Sequence, residues 1–128
     1  MILGIDFGLK RIGLAVADEN LAQPLAVVAN SPGIIGQILE ICRQNKVEKI
    51  VIGLPEGRLV KKIKGFSQKL QVATGLPVEF QDETLTSEDA LDMMIEIGKK
   101  RKTRGEKRDA FAAAIILREF LKRSQRNV

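Results

Sequence analysis

Three acids occupy positions where an acid is out of character. Asp6 lies in the apolar stretch MILGIDFGL, between Gly4 and Gly8. Side chains alternate faces along a strand, so Leu3, Ile5 and Phe7 share one side and Gly4, Asp6 and Gly8 the other. A carboxylate flanked by two residues without side chains leaves room for an ion, a phosphate or another backbone to approach closely, which makes Gly4 and Gly8 candidate close-approach glycines. Glu83 closes the strand-like run VEFQDE, in the turn position that lines the crevice of open α/β sheets. Its neighbour Asp82 points the opposite way if the strand holds. Asp109 falls at helical spacing with Ala112, Ala113, Ile116 and Phe120, so it should point inward from the start of the last helix. Each acid alone has a plainer role, as a turn residue, a helix cap or a partner of a helix dipole. Together they suggest a shared site. Two carboxylates about 4 Å apart repel by roughly 4 kcal/mol at an effective dielectric near 20, so such a cluster takes up a proton or a cation. Oxygen-only ligands select Mg²⁺ or Mn²⁺, ions that can activate water for phosphodiester hydrolysis.

The elements that must carry these acids follow from the pattern. The opening stretch around Asp6 and the run KRIGLAVAD are two strands joined by a tight turn at Leu9, Lys10 and Arg11, and QPLAVVAN is a third, giving an antiparallel meander. SPGIIGQILEICRQN switches to helical spacing, with Ile34, Ile35, Ile38, Leu39 and Cys42 as its stripe. VEKIVIGLP is a strand buried on both faces, and a helix over 59–74 is stopped by Gly75 and Pro77. After VEFQDE, Thr86 and Asp89 suggest a capping box for a helix ending at Gly98, and a last helix runs from about Lys107 to Lys122. The order predicts an α/β fold: a mixed five-stranded sheet, three antiparallel strands plus two parallel ones, with helices on both faces, the outline of a ribonuclease H-like domain.

At 128 residues the chain fits one such domain, residues 1–128. With no histidine and one cysteine, a zinc site and a histidine-based triad are excluded. The lone Cys42 fits a reducing cytosol and reads as a buried hydrophobe. No run is long enough to span a bilayer and the N-terminus has no secretion pattern, so a cytoplasmic protein without a membrane partner is expected. The net charge of +5 is concentrated: KKRKTRGEKR holds seven basic residues in ten, namely Lys99, Lys100, Arg101, Lys102, Arg104, Lys107 and Arg108. Such a cluster is an electrostatic footprint for a polyanion, though a solvated loop has the same composition. Lys10 and Arg11, next to the Asp6 strand, are further candidates for nucleic-acid phosphates.

The stretches GIDFGLKRIGLAVAD, IVIGLP, DETLTSEDA and RDAFAAAIIL, taken in this order, resemble the YqgF/RuvX family, described as Holliday junction resolvases and as nucleases of pre-16S ribosomal RNA. The resemblance spans nearly the whole chain. It implies a ribonuclease H-like fold, metal-dependent cleavage and an acidic triad of Asp6, Glu83 and Asp109. The chain differs from the family pattern at Thr84, where Arg is usual, and in the shorter loop after Pro55. The resemblance favours pre-ribosomal RNA as the nucleic-acid partner, with branched DNA as the alternative substrate. A non-catalytic RNA-binding or transcription-associated factor on the same fold is the reading from a different class. A monomer suffices to trim an RNA end, whereas a homodimer suits a four-way junction.

Overall fold

A computed structural model gives the fold and describes residues 1–82 and 105–126. Five strands, β1 (Ile2–Phe7), β2 (Arg11–Ala17), β3 (Ala22–Ala29), β4 (Lys49–Leu54) and β5 (Val78–Asp82), form one sheet in the order β3-β2-β1-β4-β5. The first three pair antiparallel, and β4 and β5 join in parallel. The described helices are α1 (Ile34–Gln44), α2 (Leu59–Thr74) and α3 (Gly105–Arg126). The mixed sheet and its helix-covered faces match the architecture expected from the sequence. The capping box at Thr86 and the helix ending at Gly98 lie outside the described residues.

Alternation along the strands sorts the core into two layers. Leu3, Ile5, Ile12, Leu14, Ile50 and Ile52 face α1 and α2, whose Ile34, Ile38, Cys42, Ile63, Phe66 and Leu70 complete that layer. The other side carries Ala15, Ala17 and Val51, against which Ala113, Ala114, Ile116, Leu117 and Phe120 of α3 pack. Small residues on this side let a helix lie close to the sheet. The ideal position for a Cβ on Gly4 falls 2.9 Å from Leu117 Cδ1 and 3.0 Å from the Ala113 carbonyl oxygen, so a side chain there would displace α3. Ala112, placed by its spacing on the inward stripe, is only half-buried. One residue along a helix is a rotation of about 100°, and the glycine groove seats Ala113 and Leu117 instead.

Local signals set the boundaries. α2 ends at Gly75, whose φ of 70° is the left-handed conformation of a helix C-cap and whose N–H donates to the Gln71 carbonyl at 2.9 Å. Pro24 lies on the edge strand β3 next to a register shift between Leu14 and Ala15, where a missing N–H disrupts no continuous ladder. The Cys42 thiol is buried, and burial raises its pKa, as befits a core residue and not a nucleophile.

Candidate active site

Asp6 is the penultimate residue of β1 and is half-buried. It shares the parity of Gly4, which packs against α3, so its side chain faces the α3 side of the sheet. Across the β1–β2 ladder Asp6 pairs with Gly13. Gly13 lies directly beneath the first described turns of α3: a Cβ there would collide with the Asp109 carbonyl oxygen and come within 2.9 Å of the Ala110 nitrogen. A glycine on β2 therefore lets the segment bearing Asp109 sit against the strand next to Asp6. The two acids reach one face of the sheet, at neighbouring strands, because Gly13 has no side chain.

Asp109 is held in place from below. Arg11, at the start of β2, donates from Nε to Asp109 Oδ2 at 2.9 Å, with the Arg11 side chain half-exposed. Hydrogen-bonded geometry fixes the carboxylate direction even though an ion pair this exposed stabilises the fold by no more than about 1 kcal/mol. The turn after β1 is also tied down: Asn30, just beyond β3, donates from Nδ2 to the Gly8 carbonyl at 2.8 Å and from its backbone N–H to the Lys10 carbonyl at 2.9 Å. The space beside Gly8 is taken by the Arg11 carbonyl. Lys10 is exposed at this turn.

The same transverse row continues to the other edge of the sheet. Ile5 pairs with Ile52 in β4, and the next residue, Gly53, pairs with Gln81 in β5. Gly13, Asp6, Gly53 and Gln81 thus lie at one level, with Asp6 and Gln81 two strands, or roughly 10 Å, apart at the backbone. Gln81 is 5% exposed, and its Oε1 is buried with no hydrogen-bond partner among the described residues. A buried amide oxygen left unmatched costs about 1–3 kcal/mol, which makes it a notable feature beside two carboxylates.

Glu83 lies outside the described residues, as do Lys99, Lys100, Arg101, Lys102 and Arg104; Lys107 and Arg108 fall within the first turns of α3, and their side chains are not described. Among the described residues no group of three or more His, Cys, Asp or Glu could hold a metal ion. The donors at the level of Gly13, the Asp6 and Asp109 carboxylates and the Gln81 amide oxygen, are all oxygen and suit a hard divalent cation. Gly13, Asn30 and Gln81 were not singled out by sequence reasoning. An interior glycine in RIGLAVA is a legible sign of close backbone approach, whereas nothing local marks Asn30 or Gln81.

Comparison with known proteins then gives the relationship. The family model RuvX, described as "Holliday junction resolvase", matches residues 1–123. The chain belongs to the RuvX family. Relatives carrying the name "Putative pre-16S rRNA nuclease" include one from Agathobacter rectalis, 41% identical over 94% of this chain and 93% of its own length, and one from Syntrophus aciditrophicus, 38% identical over 94% and 87%. Among solved structures, a Thermus thermophilus RuvC bound to Holliday junction substrate superposes with a TM-score of 0.67 at 19% identity, covering 96% of this chain and 95% of that one. A fowlpox virus resolvase bound to Holliday junction DNA superposes with a TM-score of 0.60 at 11% identity over 96% and 99%. At these identities the two likenesses speak for the fold.

Proposed function

We propose that this RuvX-family chain is a cytoplasmic, metal-dependent nuclease that hydrolyses phosphodiester bonds in pre-16S ribosomal RNA, with Asp6, Glu83 and Asp109 holding one or two Mg²⁺ or Mn²⁺ ions. The observation that carries the reading is the convergence of Asp6 and Asp109 on the α3 side of the sheet, made possible by Gly13. β5, whose Glu79 and Gln81 share that side through their pairing with Val51 and Gly53, ends one residue before Glu83. No helix among the described residues is long and apolar enough to cross a membrane.

When bound, such a cation supplies an activated water and offsets charge on the leaving oxygen. The protein's own residues do the positioning. Arg11 orients the Asp109 carboxylate, and Asn30 fixes the turn that follows Asp6. Lys10 and Arg11, together with the basic run from Lys99 to Arg108, attract the phosphate backbone, so affinity falls steeply with salt.

The test offers pre-16S ribosomal RNA and a synthetic four-way DNA junction side by side, with Mg²⁺, Mn²⁺ or neither. Metal-dependent cleavage of the RNA, abolished by Asp6→Asn, is the expected result. Cleavage of the junction alone moves the substrate to branched DNA, the activity in the description of the RuvX family model. Tight binding without cleavage of either makes the chain a binding factor and overturns the catalytic reading.

A further inference from the structure

On the face of the sheet opposite the acids, a cleft of about 500 Å³ opens between α1 and α2. Phe7, Ile35 and Phe66 line it together with Lys62 and Lys69, and no acid among the described residues does. We propose that this cleft is a second contact for single-stranded RNA, with Lys62 and Lys69 each holding a backbone phosphate and the aromatic floor taking a sugar or base. The inference rests on the nuclease reading above and names a surface through which that substrate is held.

Position, charge and shape each support it. Phe7 directly follows Asp6 in β1, so the cleft starts one residue from the acid site, around the carboxyl edge of the sheet where α/β folds bind ligands. Lys62 and Lys69 are exposed and, among the described residues, join no ion pair. Seven residues along a helix is about 10 Å, a spacing that lets the two lysines take separate phosphates of one strand. α2 carries four lysines, Lys61, Lys62, Lys64 and Lys69, and no acid, so its field favours a polyanion throughout. The floor is an aromatic pair: the Phe7 and Phe66 rings stand 5.1 Å apart at 54°. Gly65 keeps the mouth open between the lysines, with nothing within 4 Å of where its Cβ would be. The cleft volume lies in the range of ordinary ligand sites, and an apolar floor between two cations is the arrangement that takes single strands without reading sequence.

The test measures fluorescence anisotropy of a labelled single-stranded RNA oligonucleotide across a salt series in EDTA, so that cleavage does not interfere. Each phosphate contact on a single strand contributes about 0.7 to the salt slope, so the Lys62→Ala/Lys69→Ala double variant lowers the slope by about 1.4 and weakens binding about 25-fold at 0.1 M salt. Lys61→Ala/Lys64→Ala, which removes equal charge from the same helix outside the cleft, produces a much smaller loss. Circular dichroism confirms that these surface variants fold. Unchanged binding by Lys62→Ala/Lys69→Ala, or an equal loss in Lys61→Ala/Lys64→Ala, overturns the cleft while leaving the nuclease reading intact. Absence of RNA binding by the unaltered chain overturns the cleft, and the cleavage assay with Mg²⁺ or Mn²⁺ then decides the nuclease reading separately.

Discussion

Replacing Gly13 by Ala tests whether the close approach of α3 is what assembles the site. The added methyl would meet the backbone of α3, at the Asp109 carbonyl group and at the Ala110 nitrogen, the latter at 2.9 Å. Neither can swing aside as a side chain could, so the helix itself must retreat. Returning the Ala110 nitrogen alone to the 3.4 Å of ordinary contact needs about 0.5 Å, and the carbonyl oxygen needs more. Overpacking of this kind costs about 1–3 kcal/mol. Loss of the 2.9 Å Arg11–Asp109 bond adds up to about 1 kcal/mol, since both groups are partly exposed. The midpoint of thermal unfolding should therefore fall by on the order of 10 °C for a chain of this size. Displacement of Asp109 by about 1 Å should lower cleavage of precursor RNA about 100-fold, measured at a temperature where the variant remains folded. Gly36→Ala is the control: it lies inside α1 with open space around it, and the same substitution there should stabilise by about 0.5–1 kcal/mol and leave cleavage unchanged. A Gly13→Ala protein with the melting temperature and activity of the unaltered chain would refute the reasoning.

Three further outcomes follow from the same structure. Gln81→Leu removes a buried, unmatched amide oxygen and should raise stability by about 1 kcal/mol in urea denaturation while reducing Mn²⁺ affinity, because the oxygen faces the acid side of the sheet. Asp18 accepts backbone N–H bonds from Asn20 and Leu21 at 2.8 Å, and these two bonds hold its pKa below the ordinary 3.8. A depressed carboxylate pKa gives stability that is present above the unfolded value and lost as pH falls through the folded one. The stability difference between the native protein and Asp18→Ala should therefore be constant above pH 5 and shrink below 3.8 in acid titrations followed by circular dichroism. Cys42 should resist a thiol reagent in the native state at pH 8 and react promptly in denaturant, because burial raises its pKa and blocks access.

Legibility in the sequence varied with how local the signal was. The second helix reads from its pattern to the residue, 59–74, because Gly75 supplies a left-handed cap that few other residues adopt. The meander is equally legible, since alternation and a short turn leave one pairing. The inward rotation of Asp109 is marked by its apolar spacing, and its side chain is indeed three-quarters covered. The same spacing could not choose between Ala112 and Ala113, because the choice depends on Gly4 and Gly13, far away in the chain, which create the groove that α3 fills. Gln81 illustrates the other limit. A glutamine in a strand announces nothing until the register sets it level with Asp6.

The central claim, that Asp6 and Asp109 share a divalent cation, is tested most directly by calorimetric titration of the protein with Mn²⁺ at neutral pH, without nucleic acid. The native chain should bind, and Asp6→Asn and Asp109→Asn should each weaken binding by at least about tenfold while leaving the protein folded. An Asp6→Asn/Asp109→Asn protein that binds Mn²⁺ as tightly as the native chain would contradict the account.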